Sequence, residues 1–466
     1  MAGRSEMRRW LQIGTAVLVV ALTGACGGTP GADKTSGSTP TGGTVQKSGF
    51  EDLGPVTLTI WSYDNQDPGL QPVLEELSDR FTAKYPNVTI NMEFKDFNSL
   101  VKVVPRALAS DSGPDITEGN QGYQTDAALV QAGLIRSLEP YIEAYGWDDW
   151  YTDSTWQIFQ WTEDGKTFGE GPKWGVAQTG QNVVVFANKK KLTDLGYDTA
   201  SMPATFDEFN TMLADIRAKL PKNEPVIQFG NNEGYGTIHM YGGIQAAYVD
   251  PQSVRDWIMH APGSSYDTPE NIQALTAYQS WAQNGYFNSD YDAVEYDQSA
   301  RNFAKGSGVF WMGGDWDSSI VKEGLGDDAT VMNIPPGESG TWASIGATSG
   351  PWHISSKTKY PDLAAAWLDY IIASPEAHEL MYGQQQIPSI NGASEPSGDP
   401  FLGEVTAAWQ QVSENDGLML YTDWASPTMY DTLAANFQEL LAGRKTPADM
   451  AKAVQDDWEK FDATLK

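Results

Sequence analysis

The chain beyond residue 54 opens with apolar residues in two alternating patterns. Residues 56–62, VTLTIWS, form a β-rich run, and residues 87–94, NVTINMEF, form another. Between them, residues 68–86 carry apolar positions at helical spacing, which predicts an amphipathic helix between two strands. The apolar positions of that helix are Leu70, Val73, Leu74, Leu77 and Phe81.

The same alternation continues along the next stretch of the chain. A helical pattern surrounds LVKVVPRALAS at 100–110, and a short strand is predicted within PDITEG at 114–119. Strands that alternate with helices are typical of a parallel sheet covered by helices. Ligands of such sheets bind beyond the carboxyl ends of the strands, so we expect a ligand near residues 62–66 and 119–123.

The first 26 residues have the pattern of an export signal. Two arginines precede an apolar run at 11–22, which is too short to span a bilayer, and small residues follow it. Residues 1–25 are therefore predicted to be a signal peptide. LTGAC at 22–26 resembles the lipobox of bacterial lipoproteins, which implies that Cys26 receives lipid. A plain secreted protein with an incidental cysteine is the alternative.

Residues 26–53 are predicted to be a flexible tether, because Gly, Ser, Thr and Pro predominate up to residue 49. Cys26 is the single cysteine of the chain, which excludes an intrachain disulfide. No later stretch is apolar for long enough to cross a membrane. These features predict an extracytoplasmic module held at the outer face of the cell membrane by its lipid alone.

Composition narrows the class of ligand. The chain has 61 acidic and 30 basic residues, and the resulting charge of −31 argues against nucleic acid or anionic lipid as a partner. A cationic solute such as a polyamine is an alternative that this charge leaves open. The 17 tryptophans and 20 tyrosines favour a carbohydrate, because aromatic faces stack on the C–H faces of sugar rings.

The length after the tether points to two lobes, and the order of several segments resembles one family. That family is the extracellular sugar-binding proteins of bacterial ABC importers, which are similar to maltose-binding protein. The segments that carry the resemblance are TIWSYDN, EELSDRFTAKYPNVTI, LASDSGPDITEGNQGYQTDAALVQAGLIRSLEPYI, WGVAQTGQNVVVFANKKKLTDLGYD, MPATFDEF, FAKGSGVFWMGGDW, GPWHIS, YPDLAAAWLDYIIASPEAHELMYG and QQQIPSI.

The resemblance covers nearly all of residues 54–466 and implies an α/β fold of the two-lobe, periplasmic-binding-protein type. Each lobe is expected to contain a mostly parallel sheet flanked by helices. The chain is expected to cross a hinge three times, near Val176–Val183, Val309–Gly313 and Thr348–Ile354. Each crossing combines a β-rich run with glycines or small residues, which can absorb backbone rotation when the lobes close.

These crossings imply a division of the chain into lobes. Lobe 1 is expected to comprise residues 54–178 and 313–348, and lobe 2 residues 179–312 and 349–466. The resemblance also implies that a monomer captures a mono- or oligosaccharide between the lobes and delivers it to a membrane permease. The ATPase that drives transport is expected on other chains.

Polar and aromatic residues near these loops and crossings are the candidate ligand contacts. Carboxylates and amides bond to sugar hydroxyls, and aromatic rings stack on sugar faces. The family commonly has a stacking tryptophan after the glycine pair, which corresponds to Trp316 here. The full candidate set is Asp64, Asn65, Asn120, Gln121, Tyr123, Gln181, Tyr235, Asp315, Trp316, Ser349, Trp352, Asp423 and Trp424.

A secreted glycoside-acting enzyme with two catalytic carboxylates is the main alternative class. No local pattern identifies such a pair among the many acids. The four histidines lack metal-ligand spacing, and phosphate-loop and dinucleotide motifs are missing, so neither a metal nor a cofactor is expected. An adhesive lipoprotein is a third alternative, but it would carry repeats that the sequence beyond the tether lacks.

Overall fold

The computed structural model describes residues 44–65, 68–393 and 398–466. The strands in these ranges are β1 (Val56–Ser62), β2 (Val88–Phe94), β3 (Ile116–Glu118), β4 (Gln160–Trp161), β5 (Phe168–Lys173), β6 (Thr179–Asn188), β7 (Ile227–Gln228), β8 (Phe310–Gly314), β9 (Ala329–Met332), β10 (Ser344–Thr348), β11 (Trp352–Ile354), β12 (Ile387–Pro388) and β13 (Leu418–Met419).

The helices in the same ranges are mostly capped by Ser, Thr, Asp or Asn. They are α1 (Leu70–Lys84), α2 (Phe97–Ala109), α3 (Asp126–Gln131), α4 (Glu139–Tyr145), α5 (Asp153–Trp156), α6 (Lys189–Asp194), α7 (Phe206–Lys219), α8 (Tyr235–Gln245), α9 (Pro251–Ile258), α10 (Pro269–Gln283), α11 (Tyr296–Ala304), α12 (Ser318–Leu325), α13 (Pro361–Ala373), α14 (Pro375–Gly383), α15 (Pro400–Ser413), α16 (Met429–Leu441) and α17 (Pro447–Leu465).

The first sheet has the strand order β11-β3-β1-β2. β1 runs parallel to β2 and β3, and β11 is antiparallel to β3. β1 buries alternate side chains, and α1 buries the apolar positions that its sequence pattern predicts. The predicted order of strand, helix and strand in this region is confirmed. The carboxyl ends of β1 and β3 therefore lie side by side.

The second sheet is built around β6, in the order β13-β10-β6-β8-β7 with β9 and β12 also paired to β6. Strands β8, β9, β10 and β12 are all antiparallel to β6. Only the pairs β7–β8 and β10–β13 are parallel among the described strands of this sheet. The expectation of a mostly parallel sheet is therefore wrong here, because the long strand β6 recruits partners that return in the opposite direction.

Three segments connect the two sheets, and we call residues 174–180, 348–352 and 384–389 the neck. They are hydrogen-bonded to one another rather than separate. The backbone N–H of Trp352 donates to Val176 O at 2.7 Å, and that of Ser349 donates to Thr179 O at 2.8 Å. The third segment joins them where Ser389 N–H donates to Gln178 O at 3.1 Å.

The position of the neck departs from the expected crossings in one place. Residues 309–313 lie inside the second sheet, because β8 pairs with β6 and β7. The third connection instead follows α14, which packs against α1 beside the first sheet, and it enters β12, which pairs with β6. Pairing between strands far apart in the chain decides this, and no local pattern reports it.

The strand pairing also departs from the expected lobe division. The predicted first lobe contains residues 313–348 together with residues 54–178. However, β9 and β10 from that stretch pair with β6 in the second sheet. Residues 352–354, which were assigned with the second lobe, form β11 and pair with β3 in the first sheet. The chain therefore returns from the second sheet to the first at residues 348–352, whereas the predicted lobe division has it return at residues 312–313.

A buried ion pair lies beside the neck. The ring of His353 is fully buried, with Nδ1 2.9 Å from Trp174 O and Nε2 3.0 Å from Asp126 Oδ1. Burial by itself lowers the pKa of His353, but the charge and hydrogen bond of Asp126 outweigh burial and raise this pKa. Burial also raises the pKa of Asp126, with the charge of His353 acting in the opposite direction. Both ring nitrogens of His353 face oxygen acceptors, so the ring joins the neck to α3.

The predicted signal peptide, Cys26 and most of the predicted tether lie outside the described residues. None of the helices in the described part of the chain is both long and apolar enough to cross a bilayer.

Replacing His353 by Ala is expected to lower the free energy of unfolding by about 3–5 kcal/mol, because it leaves the carboxylate of Asp126 buried without a partner. Urea unfolding of the purified protein measures the loss. His378→Ala is the control, since this buried histidine bonds a backbone carbonyl and no carboxylate of the described residues. Equal losses in the two variants would contradict this role for the ion pair.

Candidate functional site

The adjacent ends of β1 and β3 bring acidic groups together. Ser62 Oγ donates to Glu118 Oε2 at 2.6 Å, and the backbone N–H of Tyr63 donates to the same oxygen at 2.8 Å. Glu118 is fully buried, and its Oε1 has no partner among the described residues. The end of β3 therefore buries a carboxyl group that nearby N–H and hydroxyl groups satisfy at only one oxygen.

Asp64 follows β1 and forms a carboxyl pair with Glu118. Burial raises the pKa of Asp64 to about 6, and the hydrogen bond with Glu118 acts in the opposite direction. Burial first, and then the charge of Asp64, raises the pKa of Glu118. Two neighbouring carboxyl groups cannot both ionise at low cost, so this pair retains a proton at a higher pH than isolated acids do.

The end of β8 provides a second acid on the other sheet. Asp315 is only 4% exposed, and neither of its carboxyl oxygens has a hydrogen-bond partner in the described part of the chain. Burial raises the pKa of Asp315 well above its usual value. The charge of Asp315 also affects Tyr421: burial is the largest cause of the raised pKa of Tyr421, and Asp315 is the next. An orphaned buried carboxyl group of this kind indicates a ligand site rather than a core position.

Aromatic rings surround the acids on this side. The ring of His239 lies 5.3 Å from the ring of Trp316 and 5.8 Å from that of Tyr421, both edge to face. Tyr235 and Tyr296 contact His239 from the other side, with ring centroids at 5.8 and 5.3 Å. Burial lowers the pKa of His239 to about 3, so its imidazole is neutral at pH 7.

Residues 421–424 complete the arrangement. Burial raises the pKa of Asp423 to about 6, and its charge in turn contributes to the raised pKa of Tyr421. Tyr421 also contributes to the raised pKa of Tyr63, on the first-sheet side. Burial raises the pKa of Tyr63 most, followed by the charges of Glu118 and Asp64. We call the group that these interactions connect the cleft site; it consists of Tyr63, Asp64, Glu118, Tyr235, His239, Asp315, Trp316, Tyr421 and Asp423.

The first-sheet side of the cleft site is fixed to the neck through Tyr63. Its hydroxyl accepts a hydrogen bond from Gly350 N–H. A Cβ atom at position 350 would lie 2.1 Å from this hydroxyl and 2.5 Å from Gly119 O, so only glycine fits here. The loop after β1 and the neck are therefore in direct contact.

Five candidate residues that the sequence predicted, Asp64, Tyr235, Asp315, Trp316 and Asp423, lie together in the cleft site. Asn65 is exposed directly after Asp64. Asn120 and Gln181 are half-buried, and the amide of Gln181 donates to Thr179 Oγ1 at 3.2 Å. Ligand contact by these three polar residues stays a prediction.

Five other candidates are placed in the interior. Gln121 and Ser349 are buried, and Gln121 Nε2 donates to Ser349 O at 3.0 Å, a bond that fastens a loop to the neck. The rings of Tyr123, Trp352 and Trp424 are also buried.

Their neighbours explain the burial of these rings. Tyr123 packs edge to face on Trp161 and His260 at 4.9 and 5.2 Å, and Trp352 belongs to the core of the first sheet. Trp424 packs against the backbone of Gly122, which adopts a positive φ of 91°. The sequence pattern marked the right loops but could not separate rings that face the cleft from rings that fill the core.

Four members of the cleft site were missed in the sequence. Glu118 is the last residue of a predicted strand and directly precedes the expected ligand loop at 119–123. Its position at the carboxyl end of that strand could have indicated a role in the site. His239 lies one helical turn after Tyr235 on α8, a spacing that puts both rings on one face. Tyr63 and Tyr421 each stand one or two residues from a predicted acid.

A separate cavity of about 880 Å³ lies in the second-sheet region, between α8, α9, α10 and the loop 336–343. Its lining includes Gln245, Tyr248, Trp257 and Asn271, and it contains none of the residues of the cleft site. The described residues contain no cluster of three or more metal-ligating side chains.

Comparison with known proteins identifies the family. The model of the family described as bacterial extracellular solute-binding protein matches residues 63–378. Maltodextrin-binding protein MdxE of Bacillus subtilis (strain 168) is 22% identical over 350 residues, which are 72% of this chain and 74% of that protein. The chain therefore belongs to the family of bacterial extracellular solute-binding proteins.

Solved structures agree on the fold. A chitin oligosaccharide binding protein has a TM-score of 0.75 at 19% identity, covering 88% of this chain and 99% of its own. A structure from work on xylan utilization by the thermophilic bacterium Caldanaerobius polysaccharolyticus has a TM-score of 0.73 at 20% identity, covering 86% and 99%. The predicted two-lobe, periplasmic-binding-protein type fold is confirmed.

Replacing Asp423 by Asn is expected to stabilise the protein at pH 7.5 more than at pH 4.5. The folded-state pKa of about 6 lies above the usual value near 3.9, so this carboxyl group reduces stability progressively as the pH rises through that interval. Urea unfolding at both pH values measures the effect. Asp328→Asn, at an exposed acid, is the control, and an unchanged pH slope in Asp423→Asn would contradict the assignment.

Proposed function

We propose that this protein is the substrate-binding component of a carbohydrate ABC importer. It captures a mono- or oligosaccharide between its lobes and delivers it to a membrane permease. The observation that carries the proposal is the combination of partly exposed rings with carboxyl oxygens that lack partners in the cleft site. Membership of the solute-binding family and the carbohydrate ligands of its relatives add support.

The chemistry of the cleft site suits a sugar. Trp316 and Tyr421 are partly exposed and can cover the C–H face of a sugar ring. The oxygens of Asp315 can accept hydrogen bonds from sugar hydroxyls, and a sugar hydroxyl can also bond to the paired carboxyl groups of Asp64 and Glu118. A ligand that makes these bonds relieves the cost of burying the acids, and this provides binding free energy.

The lobes are proposed to close on the ligand by rotation at the neck. We assign residues 54–178 and 349–386 to the first lobe and residues 179–348 and 387–466 to the second, which follows strand pairing. A ligand that contacts both lobes binds the closed form more tightly than the open form and shifts the population towards it. The permease then recognises the closed form.

Capture without catalysis is part of the proposal. The described acids of the cleft site are explained by ligand binding, and the relatives are binding proteins rather than enzymes. Release of reducing sugar from oligosaccharides by the purified protein would instead favour the glycosidase alternative.

Binding of a sugar is expected to raise the melting temperature of the purified protein, and the panel comprises glucose, galactose, xylose and N-acetylglucosamine oligomers of one to six units. A ligand at 100 times its Kd adds about 2.7 kcal/mol to the free energy of unfolding. In Trp316→Ala the shift is expected to disappear, because the stacking face is lost. Trp342→Ala, at a half-buried tryptophan before β10, is the control and keeps the shift. No shift with any saccharide contradicts the proposal.

The protein is also proposed to be a monomeric lipoprotein. Cys26→Ser is expected to release it from the membrane fraction into the medium and to abolish incorporation of labelled palmitate. Wild-type protein in the same cells is the control. Continued association of the Cys26→Ser variant with the membrane fraction would contradict anchoring through Cys26.

A further inference from the structure

The acids of the cleft site are unusual in having no basic partner. Burial is the leading cause of the raised pKa of Asp64, Glu118, Asp315 and Asp423, and no lysine or arginine is among the groups that act on them. Other described acids of the chain, such as Glu404 and Asp399, are paired with lysines. The acids of the cleft site therefore differ from these two in having no lysine or arginine to balance them.

Hydrogen bonding leaves the same groups incomplete. Neither oxygen of Asp315 has a hydrogen-bond partner in the described part of the chain. Asp64 Oδ2 and Glu118 Oε1 accept no bond from an N–H or hydroxyl group there, so these two oxygens have only the neighbouring carboxyl group as a partner. Glu118 and Asp315 are buried to more than nine-tenths, so water does not compensate freely. The site thus buries carboxyl groups without a lysine or arginine to balance them, and no side-chain donor of the described residues bonds to Asp315.

A neutral sugar satisfies only part of this demand. A hydroxyl group donates one hydrogen bond and carries no charge, so it does little to favour the ionised form of carboxyl groups whose pKa is raised by burial. A protonated amine donates up to three hydrogen bonds, forms charge-assisted bonds with carboxylates, and interacts favourably with the faces of Trp316 and Tyr421.

We propose that the preferred ligand is a carbohydrate that carries a free amino group, with that group bound at the carboxyl group of Asp315. This inference rests on the proposed carbohydrate-binding function and adds the charge of the ligand to it. The neutral imidazole of His239 and the rings of Trp316 and Tyr421 hold the sugar body beside the amine.

Isothermal titration calorimetry at pH 7 tests the inference with three trisaccharides of one length. These are the β-1,4-linked glucosamine trimer, its fully N-acetylated form, and cellotriose. The glucosamine trimer is expected to bind at least tenfold more tightly than either neutral trimer. In Asp315→Asn this preference is expected to fall at least tenfold, because the amide removes the charge at this position.

Two controls separate site-specific recognition from the general negative charge of the protein. Asp328→Asn removes one exposed acid of the second lobe and is expected to leave the preference unchanged. Spermidine, a cation without a sugar ring, is expected to bind at least tenfold more weakly than the glucosamine trimer.

The outcomes distinguish this inference from the function on which it rests. Equal or tighter binding of the neutral trimers overturns the inference and leaves carbohydrate capture intact. A preference for the amine that persists in Asp315→Asn also overturns it, as does one that weakens equally in Asp328→Asn. Binding of spermidine without binding of any saccharide in the wider panel overturns the proposed function together with the inference.

Discussion

The arrangement of this protein depends on the hydrogen bonds that join three segments of the chain at its neck. Residues 174–180, 348–352 and 384–389 pass between two sheets while they are bonded to one another, so the sheets are linked through one small region. The ion pair of His353 with Asp126 and the contact of Gly350 with Tyr63 attach that region to the first lobe. Side chains from stretches more than 300 residues apart in the chain consequently meet beside the neck.

Those side chains form a site in which stability and function oppose each other. Asp315 and Glu118 are buried without full hydrogen bonding, and an apolar or amide replacement would cost the folded protein less. Retaining such groups is reasonable when a ligand completes their bonds. The aromatic rings around them supply contact area that does not depend on charge, so the site combines a stacking surface with strong acceptors.

Much of the first lobe could be predicted from the sequence, because its information is local. The alternation of β1 follows from period two, and the buried face of α1 follows from helical spacing. Asp315 and Trp316 were found through a resemblance in segment order. Glycines after a β-rich run predict a hinge crossing at residues 309–313. In the structure β8 lies within the second sheet instead, because it pairs with a strand that is distant in the chain.

Residues whose role depends on three-dimensional neighbours could not be predicted in the same way. Trp352 and Trp316 are the same residue type next to similar glycine-containing loops, yet one is fully buried and the other partly exposed. Glu118 joins the site only because β3 pairs with β1, and the sequence gives no direct measure of that pairing.

A crystal structure of the protein with the saccharide that stabilises it most would test the central claim directly. The account predicts a sugar ring against the face of Trp316, with a ligand oxygen or nitrogen at about 2.7–3.2 Å from the carboxyl group of Asp315. A saccharide bound elsewhere, with the carboxyl oxygens of Asp315 and Glu118 still lacking any contact to it, would contradict the account.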